Sequence, residues 1–228
     1  MNRPHITVVL AVSADGKIAD TARSAPGFSS NIDWAHLERQ VAAADAVLFG
    51  ASTLRAHGSA MSLQNSELIA LRRQKQQPDQ PIQIVCTRSG TIPSEIRFFE
   101  QKIPRWLLTT ARGAASWQTN TSEAFAEIIV PETAEGDIDW PEALSILKNK
   151  GIENLALLGG GELIATLFEQ HFLDELWLTI CPVLLGGKDA PTPIEGVGLG
   201  AEQFQKLKLL SVETIDQEVF LHYEVNQE

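Results

Sequence analysis

The chain has only two cysteines, Cys86 and Cys181, in 228 residues. That excludes a disulfide-stapled scaffold, and two distant cysteines with five scattered histidines have neither zinc nor iron–sulfur spacing, so no metal is expected. Each cysteine lies in an apolar, strand-like run and reads as a small buried hydrophobe rather than a disulfide half or a nucleophile. Basic residues are scarce as well: 18 Lys and Arg stand against 29 Asp and Glu, a net charge of −11. Such a chain repels phosphate backbones unless one face is locally basic, so no nucleic-acid partner is expected. The one basic cluster, Arg72, Arg73 and Lys75, sits among glutamines on a predicted helix and reads as a solvated face. No apolar run approaches the ~18 residues of a membrane span. The N-terminal segment lacks a signal peptide's apolar core and cleavage pattern, so a reducing, cytoplasmic location is expected. No G-x-S-x-G occurs, no histidine has a partner at triad spacing, and no carboxylate pair stands out.

What is present is ordinary globular composition, 44% hydrophobic and 21% charged. His5–Val12 is almost continuously apolar and β-branched, as a strand covered on both faces is. Ser13-Ala14-Asp15-Gly16 breaks it, and Ser30 or Asn31 can cap a helix over Ile32–Ala44. Short apolar strands follow at Asp45–Phe49, Ile82–Cys86, Arg105–Leu108, Phe125–Val130 and Leu155–Leu158. The stretch after Gly50 reads as irregular until a helix at Ser66–Lys75. Asp139 caps a helix that begins at Trp140-Pro141. A glycine run, Gly159-Gly160-Gly161, leads into a helix over Glu162–Phe172. Asp174–Cys181 is a long strand, and Lys206–Ile215 with Glu218–Val225 alternate as an antiparallel hairpin. Strands alternating with helices and closing in a hairpin predict an α/β fold: a mostly parallel sheet with antiparallel strands at its end, in a single domain over 1–228.

In such sheets ligands bind at the carboxyl ends of strands. The glycine run there delivers the chain to a helix N-terminus, where free amides favour an anion. A plain tight turn explains it equally well. Thr87-Arg88-Ser89 offers a guanidinium and two hydroxyls at another strand end, suited to an adenosine 2′-phosphate or to a simple exposed turn. Thr53 could donate a hydroxyl to a cofactor or form a turn. His57 stands near that proposed site. Asp33, at the start of the first predicted helix, is the one candidate side-chain acid, or else a first-turn carboxylate.

Four ordered blocks carry a resemblance. They are Val9–Ala19 (VLAVSADGKIA), Ala44–Thr53 (ADAVLFGAST), Leu158–Leu163 (LGGGEL), and Leu173–Leu178 with Pro182–Gly187 (LDELWL, PVLLGG). Together they resemble the reductase domain of the bifunctional riboflavin-biosynthesis deaminase–reductase, a family with the dihydrofolate-reductase-like three-layer α/β/α fold. The resemblance implies NADPH as cofactor, with contacts at Val12, Thr53, Thr87, Arg88, Gly159, Gly160, Gly161, Glu162 and Leu163, and His57, by its place near that site, is a further candidate contact. It implies substrate contacts at Ser29, Ser30, Met61 and Leu158. The implied reaction is hydride transfer to the ribosyl group of a pyrimidine ribosylamine 5-phosphate. The cofactor supplies the reactivity, so no dedicated side-chain acid is obligatory. The alternatives are a pterin reductase using Asp33 and a non-catalytic nucleotide-binding module. A homodimer through the 174–181 strand is also expected.

The chain departs from the family pattern on the substrate side. His57-Gly58-Ser59 replaces Asp-Asp-Pro, Leu158 replaces a glutamate, Val41 replaces an arginine, and Gln64 replaces a basic residue. Arg23, Arg55 or His57 are candidates to replace the missing phosphate contacts.

Overall fold

The structure is a computed structural model that describes residues 2–25, 27–118, 124–200 and 204–226. Among these the chain order is β1 (His5–Ser13), α1 (Asn31–Ala43), β2 (Ala46–Gly50), α2 (Ala51–His57), α3 (Ser66–Gln74) and β3 (Ile82–Thr87). Then come β4 (Arg105–Thr109), α4 (Ala111–Gln118), β5 (Glu127–Ile129), α5 (Trp140–Asn149), β6 (Asn154–Leu157) and α6 (Gly161–Glu169). The chain closes with β7 (Glu175–Cys181), β8 (Leu207–Ile215) and β9 (Glu218–Val225). The residues pack as two compact units, one of Met1–Pro4 with Val41–Ala156, the other of His5–Gln40 with Leu157–Glu228.

In the first unit β2, β3, β4 and β5 pair side by side, all parallel. All five residues of β2 are buried, which is what an unbroken apolar run in a helix-covered parallel sheet requires. In the second unit β1 pairs parallel with β7, β7 antiparallel with β9, and β9 antiparallel with β8. The architecture is therefore the expected mostly parallel α/β class with a C-terminal antiparallel hairpin.

The helix starts follow local chemistry. Ser30 Oγ accepts from the amides of Ile32 and Asp33, and Asp139 Oδ1 accepts from Glu142 N at 2.9 Å, ahead of Pro141 in the first turn. Asn65 caps α3 in the same way. Two helices were not legible. α2 buries only Ala51 and Leu54 and has no side-chain N-cap, so a seven-residue helix shows almost no period in sequence. α4 carries Gly113 in its first turn, which hides it behind a helix-breaking residue.

The basic cluster needs a correction. Arg73 is exposed and paired with Asp79, but Arg72 is 2% exposed. Its guanidinium donates to the carbonyls of Ala42 (2.9 Å), Ala44 (2.6 Å) and Pro78 (2.8 Å). The end of α1 leaves carbonyls without helical partners, and a planar cation with five donors satisfies several at once. Both cysteines are free thiols. Among the described residues no helix is long and apolar enough to cross a membrane.

Arg72→Met keeps the aliphatic stem and removes every donor, stranding three carbonyls. The expected loss is on the order of 3 kcal/mol of unfolding free energy, read as a lowered urea midpoint at unchanged slope. An unchanged midpoint would show that water replaces the guanidinium at no cost.

Candidate active site

The second unit gathers its polar groups where β1 and β7 end. Ser13 and Cys181, the last residues of these strands, are register partners. Ser30 caps α1 and its hydroxyl also donates to Glu218 Oε2 at 2.6 Å. Glu218 opens β9 and is 4% exposed. Asp33, in the first turn of α1, is 6% exposed and bonds the side chains of Thr179 on β7 and Ser29. Burial pushes the Asp33 carboxyl up from its ordinary value, with the Glu218 charge adding to it, while the hydroxyls of Thr179 and Ser29 act the other way. The Cys181 thiol bonds Glu218 and is pushed up to about 12, mainly by burial and further by the Asp33 and Glu218 charges. Burial also pushes Cys86 up to about 12. Neither cysteine is a thiolate nucleophile.

One turn beyond Asp33, His36 packs its ring 4.8 Å from Trp177 and 5.0 Å from Phe220, centroid to centroid. Burial, with Arg39 and His222 adding, lowers it to about 4, so the imidazole is neutral. Its Nε2 is buried without a hydrogen-bond partner.

The glycine run sits where expected. Gly160 has φ 88° and ψ 98°, a conformation open to glycine, and places no side-chain cap on α6. Gly161 is buried: a Cβ there would stand 2.5 Å from the Thr192 carbonyl oxygen and 2.8 Å from Glu195 Cγ. Glu195 N donates to Gly161 O at 3.1 Å, and the Glu195 carboxylate holds Arg23 through bonds of 3.0 and 3.2 Å. Arg23 is thus engaged by a carboxylate rather than available to a phosphate. Glu162 is exposed, Leu158 and Leu163 are half-buried, and Val12 lies buried opposite Ile180.

Asp15 does more than make a turn. It accepts from Ser13 Oγ (2.7 Å) and from the amides of Leu185 (3.0 Å) and Gly186 (2.6 Å), pinning the loop after β7 to the loop after β1. Those bonds, led by Ser13, lower its carboxyl to about 2.

In the first unit Thr87 and Arg88 follow β3. The turn is fixed by Thr109 Oγ1 on the Thr87 carbonyl (2.5 Å) and Thr110 Oγ1 on the Arg88 carbonyl (2.8 Å). The Arg88 side chain is exposed and makes a 3.4 Å ion pair with Asp137. Thr53 lies half-buried in α2, His57 is exposed at its end, and Met61 is buried. Arg55 donates to the Thr91 carbonyl, and Val41 is fully buried in the core. Ser29, Ser30 and Asp33 are brought together in one patch, and Thr87 with Arg88 in another. Glu218, Thr179 and Glu195 were missed. Strand alternation sets Glu218, Phe220 and His222 on one face of β9, and a carboxylate on a face with Phe220 was the available signal for Glu218.

The Asp15 clamp gives a pH prediction. Its folded value lies below the unfolded one, so its contribution is complete above 3.8 and is lost as pH falls toward about 2. Asp15→Asn is expected to lower the exchange protection of the Leu185 and Gly186 amides, relative to their intrinsic rates, at neutral pH, and acidification of the wild type toward about 2 to lower that protection as well. Unchanged exchange at both amides would show the clamp to be dispensable.

Known proteins complete the description. One relative, the 2,5-diamino-6-ribosylamino-4(3H)-pyrimidinone 5′-phosphate reductase of Archaeoglobus fulgidus, is 29% identical over 194 residues, covering 85% of this chain and 87% of its own. A pyrimidine reductase-like protein of Corynebacterium diphtheriae has the same fold, with a TM-score of 0.82 at 17% identity over 100% of this chain and 94% of the other. Dihydrofolate reductase from Enterococcus faecalis shares it more distantly, with a TM-score of 0.54 at 11% identity over 97% of this chain and 99% of the other. Residues 4–221 match the family described as the RibD C-terminal domain, and the chain belongs to that family.

Proposed function

We propose that the chain is an NADPH-dependent reductase that transfers hydride to the ribosyl carbon of a pyrimidine ribosylamine 5′-phosphate, in a reducing, cytoplasmic setting where both thiols stay free. The uncapped start of α6 carries the reading. Gly160 adopts a glycine conformation there and no side chain caps the helix, which leaves amides suited to a diphosphate. Family membership and the substrate in the Archaeoglobus relative's name support the pyrimidine over a pterin. Arg88 supports the phosphorylated dinucleotide: its turn is pinned by Thr109 and Thr110, while its guanidinium is held by one exposed ion pair.

The same reading includes a homodimer. Leu176, Leu178 and Ile180 of β7 lie on one face with Leu221 and Tyr223 of β9, and all are half-exposed. Beside them on β8, Leu209 is 51% and Val212 54% exposed. An apolar face spanning three adjacent strands is larger than the isolated apolar residues normal on a monomer. A second copy laid face to face covers it in a self-complementary way.

Loss of nicotinamide absorbance on mixing NADPH with 2,5-diamino-6-ribosylamino-4(3H)-pyrimidinone 5′-phosphate tests the activity, with dihydrofolate as the contrast. Turnover of dihydrofolate alone would overturn the reading. In Arg88→Gln, NADPH affinity is expected to fall ~10-fold or more, as for a lost charged hydrogen bond, with NADH affinity unchanged. Equal effects on both dinucleotides would remove Arg88 from the 2′-phosphate. Sedimentation should give a dimer for the wild type and a monomer for Val212→Glu; a monomeric wild type would overturn the interface.

A further inference from the structure

We propose that Arg23 is a positioning residue for the dinucleotide: it neutralises Glu195 beside the opening turn of α6, so that a diphosphate can settle on amides from which a bare carboxylate would repel it. The inference rests on the reductase reading above and names what governs the charge of its cofactor turn.

The carboxylate stands close to that turn. Glu195 Oε2 lies 3.0 Å, and its Cγ 2.8 Å, from the point a Cβ on Gly161 would occupy. The Glu195 amide donates to the Gly161 carbonyl at 3.1 Å, which fixes where the side chain starts. Only 19% of that side chain is exposed, so water and salt screen its charge incompletely. Glu162, in the first turn of α6, brings a second negative charge that acts on the same guanidinium. Without a cation, two carboxylates and a diphosphate would gather at one helix end, and like charges at that range oppose binding.

The cation is held in place by its own turn. Arg23 Nη1 donates to Glu195 Oε2 at 3.2 Å and Nη2 donates to Oε1 at 3.0 Å, a bidentate pair. Arg23 has φ 56°, a left-handed conformation uncommon for a residue with a side chain. Asp20 imposes it: Arg23 N donates to the Asp20 carbonyl at 3.0 Å, and Ser24 N to Asp20 Oδ1 at 2.9 Å. Backbone strain of this kind persists where the surroundings over-determine it, and it gathers at functional sites.

Tethering does not account for the pair. The loops after β1 and β7 are fastened to one another by other bonds. Ala14 N donates to the Val183 carbonyl (2.8 Å), Ile18 N to the Pro191 carbonyl (3.0 Å) and Lys17 Nζ to the Ala190 carbonyl (3.2 Å), next to the Asp15 clamp. Arg23 is 55% exposed, and an ion pair with one solvated partner adds little stability to such a seam. What the pair changes is the field at the turn, where Glu195 joined to Arg23 contributes almost no net charge.

The test measures NADPH affinity of the full chain by nicotinamide fluorescence, with inorganic pyrophosphate as competitor. The variants are Arg23→Gln, Arg23→Lys, Glu195→Gln and the double variant Arg23→Gln with Glu195→Gln. Arg23→Gln should weaken NADPH and pyrophosphate alike by ~10-fold, the effect of one charge over a few ångströms at a partly screened site. Arg23→Lys keeps the charge and loses the fork, and should recover most of that affinity. Glu195→Gln should bind more tightly than wild type, and the double variant should return close to it. High salt should shrink every difference. A tether predicts the opposite sign for Glu195→Gln, so weaker binding in that variant overturns the proposal. A double variant as weak as Arg23→Gln also overturns it, because Arg23 then touches the diphosphate itself. NADPH binding that ignores both side chains overturns the role of Arg23 and leaves the reductase reading standing. A wild type that binds neither NADPH nor pyrophosphate overturns both.

Discussion

The hydroxyl of Ser30 holds two elements of the second unit in one relation. It accepts from the amides of Ile32 and Asp33, which starts α1, and it donates to Glu218, which starts β9. A hydroxyl has one hydrogen, so donating it to Glu218 leaves only lone pairs for the helix, and that is what the two amides need. Asp33 then enters the first turn of α1 facing Thr179, and Glu218 enters β9 facing the same patch. Asp33 and Glu218 come to one patch through a capping bond. Neither helix propensity nor strand alternation alone would bring them together.

Much of the fold was legible because long apolar periods dominate it. β1, β7 and β9 were read to within one residue, as were the caps by Asp139 and Ser30. What escaped was short or disguised. α2 is too brief to display a period, and α4 begins over a glycine. Arg72 carried the same letters as a solvated cation, yet folding surrounds it with carbonyls. Sequence shows a residue's charge and not which backbone groups a helix end leaves unpaired.

The candidate site was legible in a different way. The glycine run and the Thr87-Arg88 turn announce themselves by composition at strand ends. Glu218 does not, since it stands 188 positions along the chain from its partner Ser30, which reads as an ordinary cap. Asp33 was visible as an acid, but its environment was not. Arg23 shows the converse, a cation that reads as free and is in fact held by Glu195 beside Gly161.

The turn after β3 is built on backbone contact. A Cβ on Gly113 would fall 1.9 Å from Thr109 Oγ1 and 2.8 Å from the Arg88 carbonyl, and one on Gly90 would fall 2.4 Å from the Gly113 carbonyl. Trp117 Nε1 closes the same turn on the Gly90 carbonyl at 2.7 Å. The two glycines are therefore locked as a pair, and neither can drift while the other stays. Evolution and protein engineering alike are left with the outward-pointing side chain of Arg88 as the adjustable part, so any retuning of what this strand end recognises must be written there.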